Sequence, residues 1–258
     1  MMVPSRFLIA ASLAICSALA SAAPVTIFGE DTAPGAQVPA GSLAKAARDS
    51  FLGQFNGTVD SFGFERLTLL SGSGAAAVGQ IDFTASTGTI GATLSGDGVV
   101  RTAPQLGRFN TTTGGSKYWE VQSGGTGSFS ITFNSAIAGF GFYATDVNDF
   151  GGSFKLILES ATFGDPNVEL LISPTPLNDG NLVFFGFTDR VKTYTKVTFQ
   201  TAGGTSTAPD FFGFDDFVIG DSGQLNPVVV PEPGTLALAG LALVGLACGR
   251  RRQQRVRA

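Results

Sequence analysis

The sequence predicts an all-β protein, an antiparallel β-sandwich of jelly-roll kind with one short amphipathic helix near its start. Three observations predict it. Apolar residues alternate with polar ones at period two from residue 63 onward, glycine-rich breaks separate those segments, and one stretch alone carries helical periodicity. Composition agrees: 23 phenylalanines and 35 glycines in 258 residues, with 14% charged side chains, describe a turn-rich globule with a large core.

The chain opens with Arg6 as a short positive region, an apolar run from Phe7 to Ala20, and Ala20-Ser21-Ala22 in A-x-A spacing. This is the pattern of a secretory signal peptide, cut after Ala22 or Ala23. A retained anchor is disfavoured because the run is short and ends in a cleavage pattern. Cys16 follows Ile15, where a lipoprotein signal wants a small residue. The chain therefore divides into a signal peptide (1–22), an exported domain (23–226) and a C-terminal tail (227–258). Both cysteines, Cys16 and Cys248, fall outside the domain. No disulfide staples it, so its stability must come from its core.

Between residues 23 and 227, ten basic residues stand against nineteen acidic ones, a net charge of about −9. Such a surface does not hold nucleic acid or anionic lipid by electrostatics. Cations, neutral sugars and proteins remain as partners.

The helix is expected in SLAKAARDSFLGQF (42–55), where Leu43, Ala47, Phe51 and Phe55 recur every four residues with charged residues between them. Strands follow in Phe129/Ile131/Phe133, Phe140/Phe142, Phe154/Leu156/Leu158, Val168/Leu170/Ile172, Val183/Phe185/Phe187, Val197/Phe199 and Phe212/Phe214. Glycine turns part them, and no helical pattern intervenes, which favours a sandwich with antiparallel neighbours. A lipid-spanning barrel is disfavoured, since SGSGAAAVGQ and NTTTGGSKYW offer no lipid-facing apolar band.

The chain has no histidine and its domain no cysteine, which excludes Ser-His-Asp and Cys-His catalysis and histidine-bound metals. Carboxylates remain. Glu65, Glu120, Asp146, Asp149, Asp215 and Asp216 are the acids a glycan hydrolase could use, but spacing pairs none of them, and solvated or turn-capping carboxylates are the alternative. No catalytic residue is assigned.

Calcium suits the oxygen ligands in supply. Asp146, Asn148 and Asp149 put three oxygen-bearing side chains into one glycine-ended loop, the alternative being an Asx-rich turn. Alternation through Phe212 and Phe214 points Asp216 to the aromatic face and Asp215 to the other. Phe217 and Ile219 then require a bulge or phase shift at the Asp pair. A carboxylate facing a core needs hydrogen bonds or a metal. Tyr118-Trp119, after Gly114-Gly115-Ser116, is either a platform for a sugar face or part of the core.

The tail runs from Val228-Val229-Val230 through Pro231-Glu232-Pro233-Gly234 into an uncharged apolar segment, Thr235 to Cys248, followed by Arg250, Arg251 and Arg252. The arginines hold that end in the cytoplasm, which places the domain outside. At ~1.5 Å per residue the segment makes a helix of only ~21 Å against a ~30 Å hydrocarbon core. Such a transmembrane helix is weak without help from its flanks.

This order of parts resembles the PEP-CTERM sorting signal of Gram-negative bacteria that make exopolysaccharide; an ordinary anchor with a proline-rich linker is the alternative. The resemblance implies an exosortase partner, with Pro231, Glu232 and Pro233 as the recognition motif, Leu236 to Cys248 as a transient span, and Arg250 to Arg252 as the cytoplasmic stop. It implies a protein held in the inner membrane with its domain in the periplasm, then moved to the cell surface or outside. GFGFYATDVND, LVFFGFTDR, KVTFQTAGG and DFFGFDDFVIG also look like exported PEP-CTERM proteins. The last of them, with Phe64-Glu65, resembles calcium-stabilised jelly-roll carbohydrate-binding modules. That implies a structural calcium shared by Glu65 and Asp215 or Asp216. The expected function is a non-catalytic structural or carbohydrate-binding module associated with exopolysaccharide or biofilm; a carboxylate-dependent glycan hydrolase or lyase is the alternative.

Overall fold

A computed structural model describes residues 23–67, 79–86, 88–102, 104–122, 128–147, 152–175, 180–203 and 210–227. The expected signal peptide, the sorting tail with its apolar segment, Asn148 and Asp149 lie outside the described residues. The elements in chain order are β1 (Val25–Asp31), α1 (Leu43–Leu52), β2 (Ser61–Phe62), β3 (Gly79–Ala85), β4 (Gly88–Gly96), β5 (Val99–Arg101) and β6 (Tyr118–Gln122). They continue with β7 (Ser128–Ile137), β8 (Gly139–Thr145), β9 (Gly152–Ser160), β10 (Val168–Ile172), β11 (Leu182–Thr188), β12 (Tyr194–Gly203) and β13 (Phe211–Gly220).

Two antiparallel sheets form the sandwich. One runs β1-β11-β8-β13-β6-β5, with β2 beside β13, and the other runs β10-β9-β12-β7-β4-β3. The chain crosses between sheets at β2 to β3 and β4 to β5, then at every step from β6 to β13 except β9 to β10, the alternation of a jelly-roll-like fold. Period-two phenylalanines explain the core. Phe129, Phe140, Phe142, Phe154, Phe199, Phe214 and Phe217 meet between the sheets. Phe199 stacks on Phe129 with ring centroids 4.1 Å apart and meets Phe142 and Phe214 edge-on. Each such pair contributes ~0.5–1.5 kcal/mol beyond area burial.

The first sheet is covered on its outer face as well. Helix α1 lies on β1, β11 and β8, over a second cluster with Phe51, Phe55, Phe184, Tyr143 and Val218. Strands β8 and β11 are therefore buried along their whole length. Phe140, Phe142, Phe185 and Phe187 point to the core, while Gly139, Gly141 and Gly186 lie on the opposite face under the helix phenylalanines. Added Cβ atoms at Gly141 and Gly186 would come within 3.0 and 2.7 Å of Phe51, and one at Gly220 within 2.1 Å of Phe55. This glycine trough lets two phenylalanines lie directly on the sheet.

The helix begins where expected, but its buried stripe differs. Ala44, Ala47 and Phe51 face the sheet, while Leu43 is 64% exposed. The cause is the cap. Ser42 accepts from Lys45 N–H at 3.0 Å, and the Asp31 carboxylate accepts from Leu43 and Ala44 N–H at 2.9 and 3.1 Å. Pinning the first turn to β1 in this way turns Leu43 outward.

Candidate functional site

The last strand carries the expected irregularity. Register against β8 shifts between Asp215 and Val218, and Asp216 adopts φ 49°, a left-handed conformation that non-glycine residues seldom take. One consequence differs from the sequence expectation. Simple alternation puts Asp216 against the aromatics, but the left-handed bulge turns its carboxylate to the outer face, beside Thr111 and Thr112, and returns Phe217 to the core.

Asp215 is 1% exposed and pairs across the sheet with Tyr143. Its Oδ2 accepts from the N–H groups of Thr111 (2.7 Å) and Thr112 (3.0 Å), the Thr111 hydroxyl (3.0 Å) and Asn110 Nδ2 (3.0 Å). Its Oδ1 accepts from Asp216 N–H at 2.8 Å. Burial, reinforced by the neighbouring Asp216 charge, nevertheless raises its carboxyl to about 8. Among the described residues neither aspartate has an ion-pair partner.

Glu65 belongs to the same locality. Its Oε1 accepts from the N–H groups of Ser116 and Lys117 at 2.6 and 2.7 Å, and Asn110 Nδ2 lies between Glu65 and Asp215. Phe64, just before it, is also left-handed at φ 58°. Glu65, Thr112 and Asp216 line a cavity of about 150 Å³. Among the described residues no three acidic groups converge closely enough to hold a metal by themselves. The structure thus gathers Glu65, Asp215 and Asp216 around one loop, residues 110–117.

Asp146 lies in a different constellation. Its Oδ2 accepts from Arg108 at 3.0 Å and its Oδ1 from Gly180 N–H at 2.9 Å, with φ 63° at Asp146 itself. Arg108 also donates to Glu120 at 3.0 Å, and Arg101 holds the other oxygen of Glu120 at 2.8 Å. Arg108, Glu120 and Asp146 are all buried, and the guanidinium sits 5.2 Å from the Phe211 ring. Sequence reasoning missed Arg108. The available signal was one arginine between Gly107 and Phe109 in a stretch otherwise rich in threonine, asparagine and glycine.

Tyr118 and Trp119 correct an expectation. Both are fully buried, so neither offers a face to a sugar. Trp119 stacks on Phe64 at 6.1 Å inside the sandwich. Tyr118 points to the opposite face, where burial and Glu120 push its phenol up to about 12.

A further polar cavity of about 390 Å³ lies where α1 meets the 111–113 segment, lined among others by Arg48, Ser61, Thr111, Thr113, Tyr143 and Asp216.

No curated protein matches this chain. Similar solved structures include the K1 cleaved adhesin domain of Lys-gingipain from Porphyromonas gingivalis W83, at 15% identity and TM-score 0.36, covering 64% of this chain and 99% of that one. Others are TmCBM61 in complex with β-1,4-galactotriose (17% identity, TM-score 0.32, 61% and 92% covered) and the family 11 carbohydrate-binding module from Clostridium thermocellum with a mixed-linked tetrasaccharide (12%, 0.28, 65% and 98%). The tail gives the definite assignment: residues 229–252 match the PEP-CTERM protein-sorting motif, so the chain ends in the signal of an exported protein, as an exosortase substrate does.

Proposed function

We propose that this chain is a surface or extracellular-matrix protein of a Gram-negative bacterium, with a non-catalytic β-sandwich that holds exopolysaccharide in a biofilm. The observation that carries the reading is the sorting motif at residues 229–252. On this reading the tail holds the domain at the inner membrane, facing the periplasm, until an exosortase acts at Pro231-Glu232-Pro233. Arg250, Arg251 and Arg252 stop the chain in the cytoplasm. The buried acids support a non-catalytic role: Glu120 and Asp146 are committed to Arg108, and Asp215 to the 110–112 backbone and side chains. A glycosidase instead needs two carboxylates free to face a scissile bond.

A structural calcium belongs to the same proposal. Two adjoining buried carboxylates without a cationic partner are a costly arrangement. Glu65, Asp216 and the Thr112 hydroxyl beside the smaller cavity would hold the ion and supply its oxygen ligands.

Replacing Arg250, Arg251 and Arg252 by serine, and separately Pro231 and Pro233 by alanine, tests the sorting claim. Cell fractionation should show the surface form lost while the domain's melting is unchanged; an unaltered surface fraction overturns it. Purified protein should retain the host's exopolysaccharide without shortening it. Shortening that disappears on replacing a single Asp or Glu would instead establish the hydrolase or lyase.

A further inference from the structure

We infer that the cavity between α1 and the 111–113 segment is a binding site for a neutral saccharide, gripped by Arg48, Tyr143 and Asp216. The inference rests on the carbohydrate-binding reading above and gives that reading a place on the fold. The cavity, at about 390 Å³, falls within the ~300–1,000 Å³ usual for small-ligand sites.

Three observations point to a ligand. Arg48 is half-buried at the cavity wall and has no ion-pair partner among the described residues, and its Nε, shielded from solvent, finds no hydrogen bond there either, so the guanidinium is left to the cavity for its partners. Tyr143 is 3% exposed and lines the cavity, and its phenol lies in the electrostatic reach of both Arg48 and Asp216. Asp216 is delivered to the cavity by the left-handed bulge, a strained backbone held by Asp215 and the threonine loop.

The chemistry selects the ligand. Arg48 supplies donors, Asp216 supplies an acceptor, and the hydroxyls of Ser61, Thr113 and Tyr143 do either. That is the complement of vicinal hydroxyl groups, each of which both donates and accepts. Lys45 also lines the cavity, but its ammonium is paired with Asp49 at 2.6 Å, which leaves Arg48 as the unpaired cation of the lining, while Asp216 stands between this cavity and the smaller one proposed for calcium. One unpaired cation in a domain of about −9 is too little to hold a polyanion, which leaves a neutral sugar.

The site is separate from the sandwich interior. Its lining comes from Val38 before α1, from α1, β2, β8 and β13, and from the 111–113 segment, on the outer side of the first sheet. Its rigid members are therefore set by the fold, and Arg48 stands on a helix capped by Asp31 and Ser42.

The test is calorimetric titration of the full-length chain, in calcium-containing buffer, with cello-, laminari-, galacto- and mannotetraose and with an oligouronate of the same length. At least one neutral tetrasaccharide should bind, with affinity unchanged by added salt, and Arg48→Gln should weaken it about tenfold or more. Tyr143→Phe, which keeps the ring that packs on Phe184, should weaken it in the same direction and decides the matter if Arg48→Gln melts early. Absence of binding by every neutral saccharide, unchanged affinity in both variants, or tighter salt-sensitive binding of the oligouronate overturns the assignment. Retention of the host's exopolysaccharide by Arg48→Gln at wild-type strength would remove this cavity but leave the carbohydrate-binding reading standing. Loss of all retention by wild type would remove both.

Discussion

Thr111 donates its backbone N–H to the Asp215 carboxylate at 2.7 Å, joining residues 104 positions apart in the chain. This bond, with those from Thr112 and Asn110, fastens the loop after β5 to the last strand of the first sheet. Among its described residues the loop has only a single Gln105–Arg108 bridge, so the backbone N–H groups of Thr111 and Thr112 are satisfied by a side chain instead. Asp215 therefore acts as a local substitute for a neighbouring strand, and the bulge at Asp216 follows from the need to present both carboxylates on that side.

Stability should fall as pH rises through the neutral range when no divalent cation is present. Asp215 titrates at about 8 in the folded chain against an ordinary carboxylate value near 4 in the unfolded one. The folded state thus binds a proton that the unfolded state has released, so the contribution is complete below pH ~4 and is lost as pH passes ~8. Melting curves in chelator should show this decline, and Asp215→Asn should flatten it. Excess calcium should flatten it as well, if the ion neutralises the pair. A midpoint rising between pH 5 and 8 in chelator would contradict the burial argument.

Trp119 should behave as a core residue. It is fully buried against Phe64 and Phe129, so its fluorescence should lie at the blue end of the indole range and resist quenching by acrylamide. Saccharides that bind the domain should leave it unchanged. A red-shifted emission that moves on adding glycan would restore the platform reading.

The phenylalanine ladders were legible because period-two alternation is a local property, and Phe129, Phe154, Phe199 and Phe214 all lie inward as it requires. The bulge was legible for the same reason, since Phe214 and Phe217 break phase across the Asp pair. What alternation could not give was the direction of Asp216, because a left-handed residue rotates its side chain out of the pleat. The outward turn of Leu43 was hidden by a cap from Asp31, twelve positions earlier. The Arg108 constellation was least visible of all. Its partners Glu120 and Asp146 come from two other segments, and no periodicity or spacing announces an ion pair formed only by folding.

Arg108→Met should be among the most damaging single substitutions. It leaves Glu120 and Asp146 buried with one partner fewer each, and breaking such a pair costs ~3–5 kcal/mol. For a domain of ~200 residues each kcal/mol moves the midpoint by ~2–4 °C. Adding Glu120→Gln and Asp146→Asn should recover part of the loss, because neutral amides tolerate the missing charge and asparagine accepts the left-handed backbone at 146. A midpoint equal to wild type for Arg108→Met alone would show the network to be dispensable.

The glycines beneath α1 make the sharpest packing prediction, because Gly186 of the trough and Gly29 of β1 differ in what a methyl group would meet. At Gly186 an added Cβ lies 2.7 Å from Phe51 Cδ2, a ring that can shift with its side chain. At Gly29 it lies 2.3 Å from the Leu43 carbonyl oxygen, which belongs to the helix backbone and is held by the Asp31 cap. Overpacking a filled site costs ~1–3 kcal/mol, and more where the neighbour cannot move. Gly186→Ala should lower the midpoint by several degrees, and Phe51→Leu, by removing ring volume, should offset part of that loss in the double variant. Gly29→Ala should cost more and should not be offset by Phe51→Leu, since the obstruction is backbone. Equal midpoints for the two glycine variants, or rescue of both by Phe51→Leu, would mean that the helix rides on β1 less tightly than its cap implies.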